Sequence, residues 1–147
     1  MLYSHASELA LRAVLYLAQQ PPGKLSPVHE VARGTGLSKA YLAKILQRLI
    51  QARLVRAFRG RGGGMELGRP PEEISLALVV RAMEGPGEEE QCVLNRQLCQ
   101  PLNPCPLHSR WAPLRLQMRS LLEESTVASV AKQLKKPRAP RKNKEES

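Results

Sequence analysis

The 147-residue chain predicts a mainly α fold, a winged helix-turn-helix with a small β-hairpin wing and a long C-terminal dimerisation helix. Three observations carry this expectation. Two short helical segments flank the glycine turn Gly34, Thr35, Gly36; an alternating strand and a glycine-rich turn follow them at once; a longer helical pattern closes the chain. Aromatic residues are few (Phe58, Trp111, Tyr3, Tyr16 and Tyr41), so the core must be aliphatic, which suits packed helices.

Taken in order, residues 5–19 place Leu9, Ala13, Val14 and Leu17 at helical spacing, and Pro21, Pro22 and Gly23 end that helix. Ser26 followed by Pro27 reads as an N-cap with proline at the first helical position, giving a short helix over about 27–34. Ser38 caps a third helix over about 39–52, with Leu42, Ile45, Leu46, Leu49 and Ile50 as its buried stripe. Its other face carries Lys39, Tyr41, Lys44 and Arg48, the disposition of a recognition helix. LVRAF at 54–58 and MEL at 65–67 pair as a hairpin around RGRGGG, which puts Arg59 and Arg61 on a narrow tip. Glycine there allows close approach to a duplex, and an arginine on such a tip can enter the minor groove. Helices are expected over about 73–84 and 109–124, the second with Trp111, Leu114, Met118, Leu121 and Leu122 on its apolar face. Ser125 is the expected cap of a last helix to about 134. The longer helix has no obvious partner in so small a chain and is expected to pack against a twofold mate. The organisation is thus 1–84 DNA-binding domain, 85–108 cysteine loop, 109–134 dimerisation helix with a short terminal helix, and 135–147 a disordered basic tail.

Charge divides the same way. The net charge of +10 comes as +7 from residues 1–68, −1 from 69–134 and +4 from the tail. A basic half joined to a neutral half suggests a phosphate-binding part and a separate sensing or assembly part. Residues 1–20 hold no uninterrupted apolar core and no run is long enough to span a membrane, so a cytoplasmic location is expected. No nucleophile–histidine–acid pattern, cofactor fingerprint or phosphate-loop motif is present, so neither an enzyme nor a small-molecule substrate is expected.

All three cysteines, Cys92, Cys99 and Cys105, fall in CVLNRQLCQPLNPCPLH, and His108 follows three positions after the last. In a reducing compartment such a cluster points to metal binding or redox chemistry before disulfides. Three thiolates leave a four-ligand site one donor short. Zinc accepts three Cys and one His, but its sites usually contain C-x2-4-C pairs, which C-x6-C-x5-C lacks. Thiol sensing without any metal would need thiolates of low pKa.

ELALRAVLYLA near the N-terminus, GLSKAYLAKILQRL in the third helix, RGRGGGMEL in the wing and the three cysteines before a long helix together resemble the Rrf-two family of bacterial winged-helix regulators. The resemblance spans about residues 1–133. It implies a homodimeric transcriptional repressor bound to a palindromic promoter operator, and an iron–sulfur cluster on Cys92, Cys99 and Cys105 that senses nitric oxide, redox state or iron–sulfur status. The DNA-binding set it implies is Ser38, Lys39, Tyr41 and Lys44 in the major groove, Arg48 nearer the backbone, and Arg59 and Arg61 on the wing. The fourth cluster ligand stays open. His108, in C-x2-H, looks like the iron–sulfur-assembly type, whose two-iron (2Fe-2S) cluster takes three Cys and one His. Glu8 stands where the nitric-oxide-sensing type sends an acidic residue across the dimer to a four-iron (4Fe-4S) cluster. An exogenous ligand is the third option; the two-iron form is set ahead of the four-iron form, and zinc is the alternative to both.

Overall fold

The computed structural model describes residues 4–85, 92, 94 and 104–134. Helix α1 (His5–Ala18) begins where the Ser4 hydroxyl accepts from the Ser7 amide, and it buries Leu9, Ala10, Ala13, Val14 and Leu17. Helices α2 (Val28–Thr35) and α3 (Lys39–Gln51) form the helix-turn-helix. Gly36 closes α2 in the left-handed region (φ 74°), where a side chain is strained. Gly34 is required for a different reason: a Cβ there would lie 2.0 Å from the Tyr16 ring.

Strands β1 (Val55–Phe58) and β2 (Gly64–Leu67) pair antiparallel, with Val55 opposite Leu67 and Arg56 opposite Glu66. The second pair is also an ion pair, Arg56 Nη2 to Glu66 Oε1 at 2.9 Å. The hairpin is anchored from outside, because Ser26 N donates to Met65 O at 2.9 Å and Met65 N to Ser26 O at 2.8 Å. Ser26 is therefore not the expected cap of α2. Pro27 holds that position without a side-chain cap, and the buried Ser26 hydroxyl has no hydrogen-bond partner among the described residues. Competition between a local cap and a long-range backbone pair was resolved for the pair, which satisfies two backbone groups at once.

The 73–84 helix starts later than expected. A short 3-10 turn, Pro71–Glu73, comes first, then α4 (Leu76–Glu84), capped by Ser75. Ile74 and Ser75 are extended, pinned by Leu76 N to Ser125 O (2.9 Å) and Val127 N to Ile74 O (2.8 Å). For the same reason Ser125 does not cap the last helix; Thr126 caps α6 (Val127–Gln133), its hydroxyl accepting from the Ser129 amide. Helix α5 (His108–Glu124) runs along α4, with Pro113 inside it beyond its first turn. One aliphatic core joins α1, α2, α3, α4, α6 and the wing, with Val14, Leu42, Leu49, Leu54, Ile74, Val79 and Val127 fully buried. Ile50, expected in the stripe of α3, instead points out at 37% exposure. No helix among the described residues is long and apolar enough to cross a membrane. The tail 135–147 and most of the cysteine loop lie outside the described residues.

Candidate nucleic-acid interface and thiolate site

The exposed face of α3 carries Lys39, Tyr41, Lys44 and Arg48, opposite the buried Leu42, Ile45, Leu46 and Leu49. This division is the 3.6-residue period acting on a helix with one apolar stripe. Ser38, also exposed, is the N-cap, its hydroxyl accepting from the Tyr41 amide at 3.3 Å. Arg59 and Arg61 are exposed on the wing turn, where Gly60 (φ 94°) and Gly62 (φ 72°) supply left-handed backbone. The acidic side chains nearest in sequence are engaged elsewhere, Glu30 with Lys24 and Glu66 with Arg56. Arg48 departs from its neighbours. Its Nη1 donates to Met83 O at 2.9 Å, at the C-terminal end of α4. Sequence periodicity assigned its face correctly but carries no signal for this bond, which spans 35 residues.

Of the three cysteines, Cys92 and Cys105 come together: both are buried and their Sγ atoms lie 3.4 Å apart. The Cys92 sulfur also accepts from the Leu94 amide at 3.4 Å. Two thiolates on one tetrahedral metal with bonds of about 2.3 Å stand about 3.8 Å apart, so this buried pair has nearly the spacing that a single metal atom demands. Both sulfurs are buried, and as soft donors they suit iron or zinc. Cys99 lies outside the described residues. His108 is the first residue of α5, not the last of the loop, and its amide donates to Cys105 O at 3.0 Å. Glu8, on the half-exposed first turn of α1, accepts from Arg12 Nη2 at 2.7 Å and meets His5 Nδ1 at 3.4 Å. Among the described residues, no three His, Cys, Asp or Glu side chains converge as a complete metal site.

Helix α5 buries none of its side chains in the single chain. Leu107, Leu114 and Leu121 are 42%, 55% and 63% exposed. Their seven-residue spacing, with half-buried Trp111 and Met118 between them, follows an a/d repeat. The structure also shows how α4 is tied to its surroundings. Glu84 accepts from the Ser4 amide and, at 3.0 Å, from the buried Ser7 hydroxyl.

The family described as "Rrf2: Iron-dependent Transcriptional regulator" matches residues 3–133. A Mycobacterium tuberculosis protein named as a candidate HTH-type transcriptional regulator is 39% identical over 131 residues, 89% of this chain and 81% of that protein. The HTH-type transcriptional regulator NsrR of Bacillus subtilis is 32% identical over 133 residues, covering 90% of this chain and 91% of its own length. Among solved structures, CymR, the global cysteine regulator of Bacillus subtilis, superposes with a TM-score of 0.75 at 24% identity. That match covers 90% of this chain and 97% of CymR, and it is a likeness of fold.

Proposed function

The chain belongs to the Rrf2 family of winged-helix transcriptional regulators, and from that premise we propose that it is a dimeric repressor whose operator affinity is set by an iron–sulfur cluster on Cys92, Cys99 and Cys105. The observation that carries this reading is the buried Cys92–Cys105 pair, 3.4 Å apart, in the segment joining the DNA-binding fold to the leucine-faced helix. The family's iron-dependent description accords with it. When bound, a cluster would supply a group that nitric oxide, oxygen or iron depletion can remove.

The chain's own residues do the rest. Cys92 follows α4 and Cys105 immediately precedes α5, so bringing their sulfurs together fixes the two ends of the loop against each other. Fixing the loop fixes how α4, and the winged domain with it, stands relative to α5. The exposed leucines of α5 pair two chains, so the spacing of two winged domains on a palindrome becomes sensitive to the loop. Ser38, Lys39, Tyr41 and Lys44 face the major groove, and Arg59 and Arg61 reach along the backbone or into the minor groove. His108, tethered to Cys105 through the helix start, is the first choice of fourth ligand, and Glu8 of a partner chain is the second. Cys92 and Cys105, with their sulfurs this close, would suit the two-iron form better than the four-iron form. A coupling of about 1–3 kcal/mol, roughly 5- to 150-fold in affinity, is enough for regulation.

Anaerobic purification with an absorption spectrum and iron and sulfide counts tests the cofactor. Visible charge-transfer bands with stoichiometric iron support it, whereas a colourless zinc protein contradicts it. Cys99→Ala tests control: it should abolish the response of operator binding to nitric oxide or oxygen, and an unchanged response rejects the cluster as the sensor. A metal-free thiol switch is the second reading, favoured by the 3.4 Å approach of two buried sulfurs.

A further inference from the structure

The last turn of α4 is tied to three elements at once. Toward α3, Arg48 Nη1 donates to Met83 O at 2.9 Å. Toward α1, the Glu84 carboxylate accepts from the Ser4 amide and, at 3.0 Å, from the buried Ser7 hydroxyl. Toward α5, Arg81 Nη2 lies 4.0 Å from Glu123 Oε1, which also accepts from Arg119 Nε at 3.0 Å. The chain then leaves the helix at Gly85 (φ 79°), and Cys92 follows seven residues on. Among the described residues, Arg48 is thus the side chain of the recognition face that bonds to the helix leading into the cysteine loop. An arginine at a helix C-terminus meets the carbonyls that the helix leaves without partners and the negative end of its dipole, so the bond is favoured both by geometry and by charge.

We infer that the Met83–Gly85 turn is the joint through which the state of the cysteine loop reaches the recognition helix, and that Arg48 is the positioning residue on its DNA side. This rests on the cluster-controlled reading above. A shift of the α4 terminus, when the loop is released, moves the Met83 carbonyl. The Arg48 guanidinium must then follow it, turning α3 in the groove, or let go and become available to a DNA phosphate. In either case the two states of the loop differ in what α3 offers to DNA, without any contact between the loop and the duplex.

The test compares Arg48→Met, which keeps the alkyl stem and removes the donor, with the unaltered full-length protein, each cluster-loaded and cluster-free. Operator affinity is titrated across salt concentrations, and amide hydrogen exchange of α3 is followed in both forms. The variant should keep its iron content and visible spectrum. The loaded-to-free affinity ratio should collapse toward one, and the difference in α3 exchange between the two forms should disappear. If both forms weaken equally and the salt slope falls by about one, Arg48 is only a phosphate contact and the joint is wrong. Glu84→Gln gives a second reading from the α1 side and should also reduce the ratio; an unchanged ratio in both variants likewise overturns the joint. A wild-type protein that holds no iron, or binds operator equally in both forms, instead overturns the reading beneath it.

Discussion

Gly64 shows how much the wing depends on a single missing Cβ. An added methyl there would stand 2.7 Å from the Ser26 carbonyl carbon and 2.9 Å from Pro27 N, both backbone atoms that cannot swing aside. Gly64→Ala should therefore spring the hairpin from the Ser26–Met65 bridge and weaken operator binding while leaving the helical circular dichroism nearly intact. Leu49, fully buried in α3, is the opposite kind of residue, since its loss opens a cavity. Leu49→Ala should lower stability by about 2–5 kcal/mol, read as a lower urea midpoint. Lys44 is exposed on the same helix, and its replacement by alanine should cost no measurable stability. It should reduce the slope of log affinity against log salt by about one, and an unchanged slope would remove Lys44 from the interface. Leu49 and Lys44 were legible in the sequence because periodicity separates most of the two faces of α3, although it placed Ile50 on the wrong one. Ser26 and Ser125 were not. Each looks like a helix cap locally, and each is drawn instead into a backbone pair with a residue distant in sequence, Met65 and Leu76.

At the scale of elements, α5 is the helix whose sequence promised a partner that one chain does not contain. Leu107, Leu114 and Leu121 stand exposed at heptad spacing, and water on that face is costly at about 25 cal/mol per Å² of apolar surface. Leu114→Glu combined with Leu121→Glu should give a monomer in sedimentation velocity, with retained helicity. Operator affinity should fall by about 100-fold or more as paired half-sites lose their linkage. A variant that still sediments as a dimer would place the interface elsewhere. The apolar repeat was readable from the sequence. The contacts that make α4 a junction were not, because Arg48 to Met83 and Ser7 to Glu84 join residues 35 and 77 positions apart. Nothing in local pattern marks such bonds, since each donor reads as an ordinary surface or cap residue.

Over the whole molecule, charge divides along the chain while one aliphatic core joins both parts. The basic N-terminal half forms the helix-turn-helix and wing; the nearly neutral second half forms α4, the cysteine segment and α5. The cysteine site was only half legible. Clustering announced Cys92 and Cys105, which the fold brings to 3.4 Å, but spacing does not choose between His108 and Glu8 as the expected fourth ligand. Within one chain the Glu8 carboxylate accepts from Arg12. In the proposed regulator, cluster occupancy sets DNA affinity. The most direct measurement is operator affinity of the anaerobically purified dimer before and after cluster removal, with iron and sulfide counted on the same samples. Stoichiometric iron and a change in affinity of roughly 5- to 150-fold on its removal are expected; equal affinities at full and zero iron would rule out control by the cluster.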